Sequence, residues 1–471
     1  MSRFIKKPVP KLTISILAML GPAFVWSSVA QGSGELIWWP YFVAKYGTAF
    51  IGLLLPAALM QYFINAEVSR YTALTGEGVW AGFRRIGKWY SIPLFMLAFV
   101  SFLWFGGYAS AGGTALFDLI GFPFGVSEKA GSLFWAYLTM GVFVIGMFFS
   151  GSVYKLIEKF MKIIAGITIT GLSISVLQPE VFKTASTYFS HLFNPFSVKF
   201  PVNWDPLDTS KLVTALAFAG MGGFLNLMYS YWMRDKGVGM SIYSEKVKTL
   251  IKKRKEETVS FKGYFFNDTS ENKKNWVVWK KYLILDNLFA VLINAFTVTL
   301  TAWLALALLY PKGIFPAGWK IAVVQAEFFE SWLGTAGRIM FLIIAAAFMS
   351  DTWLGLADGV SRQFADFTQS HFKSMQKKSF SRLYYGWLVF LIVVTSITML
   401  LAQPEVLIVI TGVISIFAFV LFIPALYYLN YIKLPRTFPK WIVPGKINAF
   451  FLWLVWAVYV SIAGWYLIVT F

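Results

Sequence analysis

Short polar stretches in apolar surroundings supply the side chains with which this chain could bind a solute or an ion. The candidate binding residues are Gln31, Gly32, Ser33, Glu35, Gly220, Met221, Gly222, Asn226, Ser350, Asp351 and Thr352. Their carboxylate, hydroxyl and amide oxygens, with free backbone carbonyls, are hard ligands that suit a hydrated ion or the polar groups of an organic solute. Large neighbouring side chains that could form a pocket wall are Trp38, Phe224 and Trp353. The predicted chemistry is binding and not catalysis, because no nucleophile–base set and no cofactor motif accompanies these residues.

The glycines within residues 31–35 and 219–223 predict breaks in two membrane-spanning helices. Glycine costs about 1 kcal/mol in a helix interior, and in lipid the freed backbone groups must find partners. Such stretches survive mainly where unwound backbone lines a protected cavity. A matched pair of interrupted helices, one in each half of a chain, indicates the substrate site of a secondary transporter. We therefore expect the two breaks to face each other at mid-membrane.

The composition is that of a polytopic membrane protein. Hydrophobic residues make up 58% and charged residues 13% of the 471 residues, and the mean hydropathy is +0.65. Soluble domains carry about 25% charged residues. The absence of cysteine excludes disulfides, thiolate metal sites and iron–sulfur clusters, and the two histidines, His191 and His371, fall in polar connecting segments. No cofactor and no nucleic-acid partner is predicted, because membrane topology explains the net charge of +19.

A window of about 20 residues places about eleven spans along the chain. They lie near 13–47, 50–70, 91–111, 132–150, 160–178, 211–232, 282–310, 336–358, 383–402, 405–430 and 447–470. Lysine and arginine concentrate in alternate loops, above all in the basic loop 233–281. This pattern predicts a multi-pass protein of the cell membrane with a cytoplasmic N-terminus and an outside C-terminus. We expect anionic lipid headgroups to contact the cytoplasmic loops, where Lys246, Lys252 and Lys255 are among the cations.

Three further acids are assigned from their positions in the spans. Glu67 and Arg70 stand at i,i+3 spacing, which predicts a helix-end ion pair. Asp286 and Asp358 lie nearer the cytoplasmic ends of their spans. Each is predicted to belong to a gate or a structural ion pair in preference to acting as a ligand.

The first span resembles that of a known transporter family. From Gly21 the chain reads GPAFVWSSVAQGSGELIWWPYFVAKYG. This segment resembles the first span of the Nramp family of proton-coupled divalent-metal transporters, which begins similarly and ends on the motif found here at Lys45, Tyr46 and Gly47. Shorter matches follow in order along most of the chain, at Arg70, Thr75, Gly76, Gly113, Thr114, Ala115, Leu116, Leu292, Ile293, Asn294, Ser350, Thr352, Gly355, Ile423 and Pro424.

The resemblance implies an all-α integral membrane protein with the LeuT-like fold and alternating access. That fold consists of two inverted repeats of five helices each, here about 13–178 and 211–430. The first and the sixth of these ten helices are broken. An extra helix at 447–470 follows. The whole chain would then form a single transmembrane transporter domain.

The site departs from the family pattern. Gly32, Ser33, Gly34 and Glu35 stand where the family has Asp-Pro-Gly-Asn, so the aspartate ligand is absent. In the sixth span the family's Met-Pro-His aligns with Gly222, Gly223 and Phe224, although a slip of one residue brings Met221 to the ligand position. The family's two acidic proton-path residues in the third span fall on Gly107 and Ser110. We therefore expect transport to depend little on a proton gradient.

Three functions remain open on these residues. The first is a secondary transporter for a solute larger than a bare transition-metal ion, because the site has lost charge and soft ligands. The second is a divalent-cation transporter with hard oxygen ligands, suited to Mg²⁺. The third is a transporter-like sensor or scaffold, with the basic loop as its output surface. Whether a metal is bound is left unknown.

Overall fold

Helices account for nearly all the regular structure. The computed structural model describes residues 4–149, 153–244, 247 and 263–471. Within these ranges the one sheet pairs β1 (Ile5–Lys6) in parallel with β2 (Tyr264–Phe265). Lys246, Lys252 and Lys255 of the predicted basic loop lie outside the described residues, so the expected lipid contacts of that loop stay a prediction.

The described chain contains eighteen α-helices. The first nine are α1 (Ile16–Met19), α2 (Gly21–Ala30), α3 (Trp39–Tyr46), α4 (Ile51–Thr75), α5 (Val79–Ile86), α6 (Lys88–Phe102), α7 (Gly106–Ile120), α8 (Glu128–Phe149) and α9 (Val153–Ser175). The others are α10 (Pro179–Phe182), α11 (Ala185–Leu192), α12 (Asp208–Ala217), α13 (Tyr229–Lys236), α14 (Ser270–Leu304), α15 (Glu327–His371), α16 (Phe380–Leu401), α17 (Pro404–Tyr427) and α18 (Lys446–Thr470). π-Helical segments lie at Gln31–Trp38, Ala305–Leu309 and Tyr428–Lys433.

Eight helical stretches of the described chain are long and apolar enough to cross a membrane. They are Ile51–Thr75, Lys88–Ile120, Glu128–Phe149, Ser270–Lys312, Gly318–His371, Phe380–Leu401, Pro404–Arg436 and Lys446–Thr470. The spans predicted near 13–47, 160–178 and 211–232 are largely helical but fall outside this set by length and composition. The count of eleven therefore stays a prediction, as do the boundaries of the two repeats and the orientation of the termini.

The sixth span is broken where its glycines predict. Helix α12 ends at Ala217, and the chain then passes through an irregular stretch and a 3₁₀ turn, Gly223–Met228, before α13 begins. Gly222 has φ of 84° and Gly223 has φ of 46°. Side chains rarely adopt this left-handed backbone, so the break requires glycine at both positions.

The first span is interrupted in a different form from the one expected. Its α-helix does not unwind at residues 31–35; it changes to π-helix over Gln31–Trp38 and continues directly as α3. The glycines serve close packing instead. A Cβ on Gly34 would lie 1.7 Å from the carbonyl oxygen of Phe218, and one on Gly32 would lie 1.9 Å from Thr352 Oγ1. π-Helical segments are frequent at functional sites. The segment therefore remains a candidate binding site although its backbone is not unwound.

Candidate functional site

Helix α14 joins the π-helical segment to the broken sixth span. Thr297 Oγ1 accepts a hydrogen bond of 3.0 Å from Gln31 Nε2, and Thr301 Oγ1 donates one of 2.8 Å to the carbonyl of Glu35. Asn294 Nδ2 donates to the carbonyl of Ala219, in the break, at 2.8 Å. The two interrupted helices are thus held side by side, as the glycine pattern predicts.

The region between these elements is rich in oxygen acceptors that have no donor. Both carboxylate oxygens of Glu35 are buried and unpartnered within the described residues, and the residue is 1% exposed. The side-chain carbonyl oxygens of Gln31, Asn294 and Gln325 are also buried without a donor from the described chain. An isolated buried carboxylate is costly, so Glu35 requires either a proton or a cation. The surplus of acceptors makes this region suited to a group that brings hydrogen-bond donors.

Asp351 forms a second acidic position on the other side of the π-helical segment. It is fully buried, and its Oδ2 accepts a hydrogen bond of 2.8 Å from Ser28 Oγ. Its Oδ1 has no partner in the described structure. Thr352 lies beside it, with Oγ1 3.5 Å from the carbonyl oxygen of Val29. The Asp351 carboxylate therefore contacts the first span at Ser28, seven residues before Glu35.

The structure places other predicted site residues in structural contacts. Asn226 Nδ2 donates to Gln61 Oε1 at 2.6 Å, and its Oδ1 accepts from Trp26 Nε1 at 3.3 Å, so the amide is already satisfied by the helices around it. Ser350 lies against α7, since a Cβ on Gly112 would be 2.8 Å from its hydroxyl.

The other predicted members are backbone or buried apolar groups. Met221 is 1% exposed, and Gly220 packs closely against Gln61. Of Ser33 only the backbone, in the π-helical segment, is described.

The three predicted wall residues are all buried and make different contacts. Trp38 is fully buried in the π-helical segment, and its Nε1 has no acceptor among the described residues. Phe224 instead joins an aromatic cluster with Trp80, at 6.3 Å between ring centroids. Trp353 faces α16, with Nε1 3.5 Å from Thr395 Oγ1. The role of these three residues as a pocket wall stays a prediction.

The residues that replace the family's acids in the third span make ordinary packing contacts. A Cβ on Gly107 would lie 2.9 Å from the carbonyl oxygen of Pro404, so this glycine allows α7 to approach α17 closely. Ser110 Oγ donates to the carbonyl of Gly106 at 2.9 Å, within its own helix. Neither position brings a titratable group towards the site.

A charge network closes one end of the helix bundle. Asp208, which is fully buried, accepts hydrogen bonds of 2.7 Å each from Lys45 Nζ, Tyr41 OH and Tyr46 OH. Lys211 contacts Asp208 at 3.2 Å and Glu405 at 2.7 Å. This Lys45 network ties α3 to the start of α12 and to α17.

A second network joins a different set of helices. Arg362 pairs with Asp235 and, at 2.8 Å, with Asp358. Trp232 Nε1 and Tyr384 OH also donate to Asp358, at 3.1 and 2.8 Å. This Arg362 network joins α13 to α15 and α16, and the predicted ion-pair position of Asp358 holds an ion pair.

The predictions for Asp286 and for the pair of Glu67 and Arg70 have different outcomes. Asp286 accepts hydrogen bonds from Tyr229 and Tyr282, so its partners are hydroxyls. The predicted pair of Glu67 and Arg70 is present, with 3.5 Å between Oε2 and Nε.

Sequence reasoning missed the polar face of α14 and the role of Gln61. Asn294, Thr297 and Thr301 recur at spacings of three and four residues, which is the signal of one helix face. A polar Gln61 inside the apolar α4 is a similar signal, because polar side chains within spans usually bond across helices. Gln325, by contrast, lies in a connection whose position no local pattern predicts.

Comparison with known proteins identifies the fold and not a family. No family model and no curated protein matches the chain. A crystal structure of MhsT in complex with L-phenylalanine is similar, with 14% identity, a TM-score of 0.57 and coverage of 100% of both chains. An Eremococcus coleocola manganese transporter, in complex with an aromatic bis-isothiourea substituted compound, matches with 10% identity and a TM-score of 0.54, over 99% of this chain and 97% of that one. A mutant of the same transporter matches with 11% identity and a TM-score of 0.56, over 99% of this chain and 97% of that one.

These likenesses confirm the predicted all-helical, LeuT-like fold over nearly the entire chain. At such low identity they carry the fold alone.

Proposed function

We propose that this protein is a secondary transporter that works by alternating access and binds a solute bearing a positively charged group. The observation that carries the proposal is the pair of unpartnered carboxylate oxygens on buried Glu35. Gln31, Asn294 and Gln325, which lie on or contact the two interrupted helices, add side-chain oxygens without donors among the described residues. An ammonium group offers three N–H donors and a charge, which matches this set. The two interrupted helices supply the location expected for a substrate site in this fold.

The spacing of the acids favours a solute larger than one bare metal ion. Oxygen ligands lie about 2.3–2.6 Å from Ca²⁺ and closer to Mg²⁺, so all ligands of one ion fall within about 5 Å of each other. Asp351 is hydrogen-bonded instead to Ser28, seven residues before Glu35, and no hydrogen bond joins the two acids or a shared donor in the described structure. In addition, the described residues contain no group of three His, Cys, Asp or Glu side chains that could hold a metal.

The related folds are compatible with either cargo. One solved neighbour is described with L-phenylalanine and the other as a manganese transporter. An uptake screen in proteoliposomes that sets amines and amino acids against divalent metals would decide between the two classes. Uptake of neither class, with folded protein in the vesicles, would favour the sensor or scaffold function.

We expect Mn²⁺ to bind no more tightly than about 1 mM, the range of the weakest oxygen-ligand sites. The reason is the absence of cysteine and of the family's aspartate and histidine ligands. Isothermal titration of the purified protein, with Met221→Ala as the comparison, measures this. Micromolar Mn²⁺ binding that is lost in Met221→Ala would contradict the larger-solute proposal. Tight Mg²⁺ binding lost in both Glu35→Gln and Asp351→Asn would favour the hard-ligand alternative.

Opening at the Lys45 network is expected to expose the site to one side of the membrane. Because the natural chain has no cysteine, Met221→Cys provides a single reporter in the break. Adding Asp208→Asn removes the charge shared by three donors at 2.7 Å. We expect the rate of labelling by an impermeant maleimide to rise about ten-fold, which corresponds to the loss of roughly 1.4 kcal/mol from the closed state.

The matched control for this change is Asp205→Asn. Asp205 contacts Lys45 at 3.3 Å but its side chain is 40% exposed, so its ion pair contributes little. Equal labelling in both variants would mean that the Lys45 network is not a gate.

A further inference from the structure

A cavity of about 500 Å³ lies between α4, α14 and the beginning of α18. It shares no lining residue with the candidate site. Its walls include three cations, one from each helix: Arg70, Lys280 and Lys446. No acidic side chain lines it.

The cations of this cavity are incompletely paired. Arg70 is 6% exposed, and its Nε has no hydrogen-bond acceptor among the described residues. The nearest carboxylate, on Glu67, lies 3.5 Å away and already accepts from Asn430 at 2.8 Å. Within the described chain neither Lys280 nor Lys446 has a carboxylate at ion-pair distance. A buried cation with an unused donor indicates that the cavity is suited to an anion.

Much of the remaining lining is apolar, with Asn287 and Asn448 as polar members, and it adjoins exposed apolar side chains. Tyr62 and Ile284 line it on α4 and α14, and Ile447 lines it on α18. Ile284 is 43% exposed and Ile447 is 72% exposed, on helices long and apolar enough to span a membrane. Lys446 is the first residue of α18, where the positive end of the helix dipole adds to its charge. The cavity thus has a cationic part and an apolar part beside exposed apolar side chains.

We propose that this cavity binds the phosphate headgroup of an anionic phospholipid, with the acyl chains lying against Ile284 and Ile447. Basic pockets between spanning helices are known to hold acidic lipid headgroups, and a volume of 300–1,000 Å³ is typical of small-molecule sites. A phosphodiester would complete the pairing of Arg70, Lys280 and Lys446. It would also bridge α18 to α4 and α14, so the bound lipid should stabilise the docking of the last helix.

The test uses the full chain purified in detergent and titrated with phosphatidylglycerol, phosphatidylcholine or inorganic phosphate. Bound lipid is counted by native mass spectrometry and thermal stability is recorded in parallel. We expect phosphatidylglycerol to bind and to raise the melting temperature, and the other two not to. In Lys280→Gln/Lys446→Gln its affinity should fall about 25-fold, at about five-fold for each cation near an anionic lipid surface.

Two further variants make the result specific. Lys281→Gln/Lys440→Gln removes the same charge from positions outside the cavity that are exposed, as Lys280 and Lys446 are, and should bind phosphatidylglycerol like the parent. Lys280→Arg/Lys446→Arg should restore binding, which separates a folding defect from a lost contact. Equal loss in the two glutamine variants would overturn the site. Stabilisation by inorganic phosphate as strong as that by phosphatidylglycerol would overturn the lipid assignment in favour of a free phosphate compound.

Discussion

Glu35→Gln is expected to reduce uptake at least about 30-fold without lowering the stability of the protein. The carboxylate is buried with neither oxygen partnered in the described structure, so it contributes no internal ion pair whose loss could destabilise the fold. The amide has nearly the same shape and removes a buried charge, which should leave the free energy of unfolding unchanged or raise it by up to about 3 kcal/mol. A ligand cation would lose its counter-charge, which typically costs 2–5 kcal/mol.

The measurement pairs uptake in proteoliposomes with thermal unfolding in detergent. Glu271→Gln is the matched control, because it makes the same chemical change at an exposed residue in the first turn of α14. Uptake at the parent level in Glu35→Gln would contradict the proposed role of this carboxylate. A large fall in melting temperature would show that Glu35 is a structural residue with partners in another state of the protein.

How far the sequence predicts the fold depends on what each glycine does. At Gly222 and Gly223 the backbone itself needs φ values of 84° and 46°, so glycine and a break go together, and the break is found where it was predicted. At Gly32 and Gly34 the backbone stays helical, and glycine is needed because Thr352 and Phe218 approach from other helices. A glycine required for its φ value and one required for packing look identical in a sequence, because the second depends on a neighbour far along the chain.

The candidate site shows the same division between local and tertiary information. Glu35 and Asp351 could be predicted, since an acid in an apolar segment is unusual by itself. The sequence could not predict that Asn226 would hydrogen-bond Gln61 and Trp26, or that Ser350 would pack against α7. These contacts depend on which helices pack together there. The acceptors on Asn294 and Gln325 join the site only through the packing of α14 and the connection before α15.

The second large effect is expected from Gly34→Ala, which should destabilise the protein and abolish uptake. The new methyl carbon would lie 1.7 Å from the carbonyl oxygen of Phe218, which is backbone and cannot rotate away. To relieve this contact the first span must separate from the broken sixth span. Overpacking costs typically 1–3 kcal/mol even where side chains can yield, so a loss of about 3 kcal/mol or more is expected.

Two matched glycines make the comparison sharp. Gly166, on α9, would have no atom within 4 Å of an added Cβ, so Gly166→Ala should be neutral or stabilise by up to about 1 kcal/mol through helix propensity. Gly32→Ala should lie between the two, because its contact at 1.9 Å is with the Thr352 side chain, which can change rotamer. Melting temperatures in detergent and uptake in proteoliposomes would give the order. If Gly34→Ala behaved like Gly166→Ala, the direct contact between the π-helical segment and the break would not exist in the protein, and the site built on that contact would have to be abandoned.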